Sequence, residues 1–423
     1  MHRESLDFSR RIPELDGLRG LAILLVLFYH YIESSPVLPG FLSVAGRLTW
    51  SGVDLFFVLS GFLIGGILLN ARESPNYFKA FYVRRAYRIL PIYAATLAAF
   101  WLIRALSHVD YSDNVSLQWL FSRAFPWYFY ATLTQNISMS YYGALGPAWL
   151  GATWSLAVEE QFYLTLPFLI KYVKPRRLPY LLGIVILFAP VFRTLLRLFV
   201  THGEVGTYVL MPSRADALML GVLAAFFLRT GNGPQALVAG KKLLYVAQAI
   251  LFCGMLWMSL KPGALPDSQV AGAARLPGSA ASYTSISACQ TLWLYSRAAL
   301  SSLNYTWIAL FYLCMVLIAI TQRQSVLAMA LRNLTLMSIG GIAYGVYLFH
   351  EPVLGLCYAV TRGTLPVITD FSTLAITFCS LLLTLVLAKL SWVYFERPLV
   401  GVGHRYLYGS NKSFQDAEPP EQS

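Results

Sequence analysis

The chain has 423 residues, of which 57% are hydrophobic, 15% aromatic and only 12% charged. A soluble globular protein carries about twice that charged fraction, so this class is excluded. The net charge of +12 could suggest nucleic acid, but apolar runs recur from residue 17 to residue 395, and in a membrane protein basic residues are interpreted by loop position first. The sequence therefore predicts an all-α polytopic membrane protein without a nucleic-acid partner.

About ten segments of roughly 20 residues are predicted to span the membrane. They lie near residues 17–33, 50–70, 87–106, 148–170, 180–200, 209–228, 242–260, 303–321, 335–360 and 372–395. Lysine and arginine concentrate in both tails and in every second connection, which predicts that both termini are cytoplasmic. The five cysteines are odd in number and form no CxxC pair, so neither a disulfide framework nor a thiolate metal site is expected.

Three further stretches are predicted not to span. Residues 117–134 are aromatic but broken by Arg123 and Pro126, and are expected to form an outer interfacial or re-entrant segment. Residues 261–302 are expected to form a long outer loop. Residues 1–400 would make up the membrane domain, and residues 401–423 a disordered cytoplasmic tail.

The first segment carries Arg19 and His30, eleven residues apart, after an entry that contains Asp16. At about 100° per residue the two side chains face the same side of a helix, about 16 Å apart along its axis. Ionisable residues inside a membrane are candidates for function. The alternative for His30 is a hydrogen-bonded packing residue.

Asp54 lies about four residues inside the outer end of the second segment, at a depth similar to that of His30. A carboxylate that orients a histidine is a recurring general-base arrangement. We therefore predict that His30 and Asp54 are catalytic. The alternative is that Asp54 caps a helix or pairs with another cation.

Arg85 and Arg88, spaced i, i+3 at the cytoplasmic end of the third segment, share one helical face. Two guanidinium groups so placed could clamp phosphates. Arginines at this position also serve as ordinary membrane anchors, which is the interpretation preferred for Arg84.

Glu159 and Glu160 lie about halfway across the fourth segment. Because successive helical residues point about 100° apart, at most one is expected to face a site. A structural ion pair is the alternative.

The remaining ionisable candidates are Arg214 and Asp216 in the sixth segment and His350 in the ninth. Glu351 follows His350, and Pro352 is expected to kink the helix there. His350 could equally be a packing residue. No metal site is predicted.

Seven motifs occur in order along the chain: LDGLRG with a later histidine, SGVDLFFVLSGFLI, RRAYRILPIY, WSLAVEEQFY, SRADALMLG, YGVYLFH and YFERP. Together they resemble the integral-membrane acyltransferase-3 family over residues 13–398. The resemblance implies transfer of an acyl group, usually acetyl, from coenzyme A to sugars of surface glycans or to macrolides.

The family's Arg-x10-His signature would fall on Arg19 and His30, and its Arg-x-x-Arg signature on Arg85 and Arg88. Glu351 departs from the family pattern, since many relatives have an aromatic or apolar residue there. Some relatives carry an extracytoplasmic esterase-like domain, which this sequence lacks, so a two-domain handover of the acyl group is not expected.

The expected function is therefore O-acyl transfer from acyl-coenzyme A, with acetyl as the expected group, to a hydroxyl of an extracytoplasmic or lipid-linked glycan. Arg19, Arg85 and Arg88 would bind the co-substrate, and the protein would lie in the bacterial cytoplasmic (inner) membrane, in contact with its lipids. Two alternatives stay open: acylation of a macrolide-like metabolite, and a proton-coupled transporter, since buried ionisable residues also build proton relays. The sequence does not specify an oligomeric state.

Overall fold

The computed structural model describes residues 12–33, 35, 46–106, 114–230, 233–260 and 288–409, which form helices and contain no strand. This confirms the predicted all-α class. Among these residues, ten long helices correspond to the ten predicted segments, and the ninth segment contains a shorter helix as well. In chain order they are α1 (Pro13–Phe28), α2 (Gly52–Asn70), α3 (Tyr77–Leu106), α4 (Thr153–Tyr172), α5 (Leu178–Phe199), α6 (Met211–Arg229), α7 (Lys241–Leu260), α8 (Ala288–Thr321), α9 (Ala343–Thr361) and α10 (Phe371–Ser391).

Within the described residues, eight of these ten helices are both long and apolar enough to cross a membrane. The other two, α4 and α9, have 20 and 19 residues, and about 20 residues are needed to span the hydrocarbon core. They fall short in composition because they carry ionisable residues, including Glu159 and Glu160 on α4 and Glu351 on α9. The cytoplasmic placement of both termini stays a prediction.

The region around residues 117–134 contains only short helices, Val115–Phe121, Trp127–Ala131 and Gln135–Tyr142. None of these is long enough to span a bilayer, which agrees with the predicted interfacial or re-entrant segment. Other short helices cover Ala148–Gly151, Gly203–Val209, Gly233–Ala239, Val326–Leu331 and Arg397–His404.

The ninth predicted segment is divided into two helices. A short helix covers Leu334–Gly341. Ile342 caps its C-terminal end, and α9 begins at the next residue. Pro352 lies inside α9 without ending it, because neighbouring groups in a membrane bundle can satisfy the backbone that proline frees. The break thus lies ten residues before the proline at which a kink was expected.

Two predicted boundaries differ from those of the structure. Helix α8 begins at Ala288, well inside the predicted loop 261–302, of which residues 261–287 lie outside the described residues. The helix Arg397–His404 crosses the predicted domain boundary at residue 400. The predicted disorder of residues 410–423 concerns a stretch outside the described residues.

Helices α2 and α6 pack with their backbones in close approach at two glycines. A Cβ atom at Gly61 would lie 1.9 Å from the carbonyl oxygen of Leu218, and one at Gly221 would lie 2.2 Å from that of Val58. Small residues are common at helix contacts in membranes, where packing rather than water exclusion drives association. The two glycines therefore allow this helix pair to form.

A buried ion pair connects α5 to α6. Arg193, which is fully buried, donates from Nη2 to the Asp216 carboxylate at 2.9 Å. The hydroxyl of Thr306 on α8 donates to the same carboxylate at 2.6 Å, and Arg193 Nε donates to the Ser302 carbonyl at 2.9 Å. Asp216, a candidate site residue, thus joins three helices.

The N-terminus of α10 is capped by Asp370, whose carboxylate accepts the backbone N–H of Thr373 at 2.9 Å. Hydrogen bonds from Ser372 and Thr373 hold the pKa of the Asp370 carboxyl below its ordinary range.

The contact between α2 and α6 can be tested by replacing Gly61 with alanine. Gly61→Ala should lower the free energy of unfolding by about 1–3 kcal/mol, because the added methyl group must push two backbones apart. Gly183→Ala on α5 is the matched control, since nothing lies within 4 Å of its Cβ position. We expect the control to be neutral or slightly stabilising. Thermal unfolding of the purified protein in detergent measures both, and equal unfolding temperatures would contradict the close packing.

Candidate active site

A cavity of about 190 Å³ lies between α1, α2, α3, α4 and α9. Arg19, Arg85 and Arg88 line it, together with Tyr163, and we call this region the arginine end. Ser155 and Tyr163 both line the cavity from α4, eight residues apart, which is about 12 Å at the helical rise. The cavity therefore runs along the helices.

The three arginines of this end come from two helices that are distant in sequence. Arg19 Nη1 donates to the Asp16 carboxylate at 3.2 Å, so Asp16 holds Arg19 in place. The Arg85 guanidinium lies 5.8 Å from the centroid of the Tyr163 ring. All three arginines are half-buried, so their charges face the cavity rather than the lipid or the core.

Arg84 does not face the cavity, and its interpretation as an anchor stays a prediction. Its Nε donates to the carbonyl of Tyr406 at 2.8 Å, and its guanidinium lies 4.9 Å from the centroid of the Tyr408 ring. It is not among the residues that line the cavity.

Of the two adjacent glutamates on α4, only Glu159 lines the cavity. Its carboxylate accepts a hydrogen bond from the hydroxyl of Tyr163 at 3.2 Å, and that hydroxyl lies 2.6 Å from the Ser60 hydroxyl. Glu160 is turned away, as the helical rotation predicts, and its Oε1 has no hydrogen-bond partner among the described residues.

The end of the cavity opposite the arginines is formed in part by Ser155 and Tyr347, whose hydroxyl oxygens are 2.7 Å apart. The Tyr347 ring centroid is 5.7 Å from that of His350, and the His350 ring centroid is 4.7 Å from that of His30. His30 Nε2 lies 3.7 Å from Glu351 Oε1. His30, His350 and Glu351 thus form one cluster, which we call the histidine cluster.

The two imidazole rings have defined tautomers. His30 Nδ1 lies 2.9 Å from the Val26 carbonyl and His350 Nδ1 lies 2.6 Å from the Tyr347 carbonyl. Because a carbonyl oxygen only accepts, each Nδ1 carries the hydrogen and each neutral Nε2 carries a lone pair. The lone pair of His30 is therefore available to accept a proton.

Local structure places His30 in the cluster. Helix α1 ends at Phe28, and residues Tyr29–Glu33 form a π-helical turn that contains His30. Such turns are frequent at functional sites. The hydroxyl of Tyr31, in the same turn, donates to the carbonyl of His350 at 2.9 Å and lies 2.9 Å from the Thr384 hydroxyl.

The predicted support of His30 by Asp54 is wrong. The Asp54 carboxylate is bound instead by the guanidinium of Arg214 on α6, and both side chains are about 1% exposed. A guanidinium carries a permanent charge that neutralises a carboxylate in an apolar interior more effectively than a neutral imidazole. Among the described side chains, the acid within ion-pair distance of His30 is Glu351, the residue at which the sequence departs from the family pattern.

Histidine and glutamate are also the ligand types of zinc sites. One potential ligand atom from each residue of the histidine cluster lies within 4.8 Å of the others. The absence of a metal stays a prediction.

Among the described residues, the helical bundle encloses a cavity that runs from a cationic end to a wall formed in part by Tyr347, and the histidine cluster packs behind that wall. The chain belongs to the acyltransferase-3 family: residues 12–393 match the family model, described as an acyltransferase domain. The resemblance drawn from the seven motifs is therefore confirmed, as is the prediction that the protein carries an acyltransferase domain.

Among curated proteins, the chain is 29% identical over 410 residues to the peptidoglycan O-acetyltransferase OatA of Listeria monocytogenes, covering 94% of this chain and 57% of that protein. It is 30% identical to the putative peptidoglycan O-acetyltransferase YrhL of Bacillus subtilis, covering 94% of this chain and 56% of the relative. It is 26% identical to the O-acetyltransferase OatA of Staphylococcus aureus, covering 94% of this chain and 58% of that protein. The chain thus spans a little over half the length of these relatives. No solved structure matches it.

A structural role for the Asp54–Arg214 pair predicts an asymmetric response to substitution. Arg214→Met should cost about 3–5 kcal/mol of unfolding free energy, because it leaves a buried carboxylate without its cation. The double variant Asp54→Asn with Arg214→Met should recover much of that loss. Thermal unfolding and yield in the membrane fraction measure both. An Asp54→Asn variant that unfolds normally but transfers no acyl group would contradict the structural role.

Proposed function

We propose that this protein is a membrane O-acyltransferase that moves an acetyl group from acetyl-coenzyme A to a hydroxyl of a glycan in the cell envelope. The observation that carries the proposal is the cavity that runs from three arginines to the wall beside the histidine cluster. Family membership supports acyl transfer, and the names of the relatives support acetyl as the group and peptidoglycan as the acceptor class. The bacterial cytoplasmic membrane is the corresponding location.

The arginine end suits the phosphates of a coenzyme. Arg19, Arg85 and Arg88 offer planar guanidinium groups, which bind phosphate oxygens through paired hydrogen bonds. All three line the cavity and are half-buried, so a phosphate group inside the cavity could contact them. The pantetheine arm would then extend along the cavity and bring the thioester to the wall formed by Tyr347.

His30 is proposed as the general base. Its side chain is 28% exposed, which leaves room for an acceptor hydroxyl beside Nε2. As that hydroxyl oxygen forms a bond to the acyl carbon and the carbon–sulfur bond breaks, its proton passes to Nε2 and then to the departing thiolate. The products are an O-acyl ester and free coenzyme A, and no metal is needed in this scheme.

The donor would enter from the cytoplasm and the acceptor from the opposite side. Arg19 and His30 are eleven residues apart on one helix and its terminal turn, which is about 16 Å at the helical rise. An extended coenzyme arm is proposed to bridge this distance, so that a glycan on the outer face or linked to lipid receives the group.

The direct test is an assay of the purified protein with acetyl-coenzyme A, labelled in the acetyl group, and soluble peptidoglycan fragments. His30→Ala should lower turnover by about 10²–10⁴-fold, the usual contribution of a general base. Binding of acetyl-coenzyme A, measured by calorimetry, should change little. His202→Ala, at an exposed position outside the cavity, is the matched control. Near wild-type turnover in His30→Ala would contradict the assignment of the base.

The donor site is tested by Arg85→Ala and Arg88→Ala. Each should weaken binding of acetyl-coenzyme A by about 1.5–3 kcal/mol, the value of a charge-assisted hydrogen bond. Lysine at either position should restore only part of the affinity, because the planar fork is lost. Arg84→Ala is the control, since the neighbouring Arg84 binds the Tyr406 carbonyl instead. Unchanged affinity in both alanine variants would rule out the phosphate clamp.

A further inference from the structure

Glu351 differs in its partner from three other buried acids, Asp54, Asp216 and Glu14. Asp54, Asp216 and Glu14 each form an ion pair with an arginine. Glu351 is 8% exposed. Within the described residues it approaches one group that can form an ion pair with it, His30, whose Nε2 lies 3.7 Å from Glu351 Oε1. Its second oxygen, Oε2, is buried and has no hydrogen-bond partner among those residues.

A buried carboxylate without a cation is costly. The nearest group that can become a cation is the His30 imidazole, and it becomes one only when Nε2 takes up a proton. Because His30 Nδ1 already donates to the Val26 carbonyl, the new proton would lie on the side of the ring that faces Glu351. The carboxylate is therefore placed to stabilise the imidazolium form of His30 once the reaction has created it.

We propose that Glu351 is the positioning residue of the acyl-transfer reaction, in the role that the sequence predicts for Asp54. Its carboxylate orients the His30 ring and stabilises the imidazolium that exists between proton uptake from the acceptor hydroxyl and proton release to the coenzyme thiolate. Glu351 itself gains and loses no bond in this cycle. The inference rests on the proposed function and adds to it the group that supports the base.

The neighbouring His350 contributes to the same geometry. It is fully buried, its ring packs edge-on against His30, and its Nε2 has no partner among the described residues. It is adjacent to Glu351 on α9, so its packing fixes the position of this part of the helix next to the π-helical turn.

The test compares Glu351→Gln and Glu351→Asp with the wild type. Glutamine keeps the size of the side chain and removes its charge, so kcat should fall at least about tenfold while the KM and the dissociation constant for acetyl-coenzyme A stay within about twofold. Aspartate should restore part of kcat. Glu160→Gln is the matched control, because Glu160 is a membrane glutamate that does not line the cavity, and it should keep its kcat.

Two kinetic results would overturn the inference: a Glu351→Gln variant with wild-type kcat, or one that loses donor binding and kcat together, as a merely structural residue would. A wild-type protein that transfers nothing from acetyl-coenzyme A overturns instead the proposed function. As a second measurement, the unfolding temperatures of His30→Ala, Glu351→Gln and the double variant should be non-additive, because the two groups interact. Additive changes would also overturn the inference.

Discussion

The electrostatic cost of charge in an apolar interior determines how the helices of this protein can be arranged. Arg214 and Asp216 enter near the start of α6, and each is matched by an opposite charge from another helix, Asp54 of α2 and Arg193 of α5. The Arg214 guanidinium is also stacked within 4.3 Å of the Tyr305 ring centroid, a contact that offsets part of its desolvation. One turn of α6 thereby connects α2, α5 and α8, and removing any one partner would leave an uncompensated charge in the core.

The charges around the cavity follow a different pattern. The arginines of its first end are half-buried, whereas the pairs at α6 are fully buried and balanced. Water or a ligand can reach a half-buried charge, whereas a fully buried charge depends on its partner within the protein. This contrast separates the ionisable residues that hold the helices together from those proposed to bind and react.

Much of the fold and part of the site could be predicted from the sequence. The long helices were predictable because a segment that crosses hydrocarbon must satisfy its backbone internally and carry an apolar surface. The grouping of Arg19 with Arg85 and Arg88 followed from the family resemblance, which assigns all three to donor binding. The partner of Asp54 could not be predicted, because sequence gives the height of a residue along its helix but not which distant helix lies against it. Arg214 is 160 residues away.

The same limit explains why Glu351 and the local geometry were missed. The break at Ile342 between the two helices was not predicted, and the kink expected at Pro352 stays a prediction. No sequence pattern predicted the π-helical turn that contains His30. Glu351 became recognisable as the neighbour of His30 only when α1 and α9 were seen side by side.

The bond from the Tyr31 hydroxyl to the main-chain carbonyl of His350 has an evolutionary consequence. A carbonyl oxygen is present whatever side chain its residue bears, so this bond maintains the spacing of the two helices independently of the chemistry at positions 350 and 351. A substitution at position 350 or 351 that fits the same space would leave this bond in place. Within one scaffold, selection can alter the reactive groups while the frame that holds them stays constant.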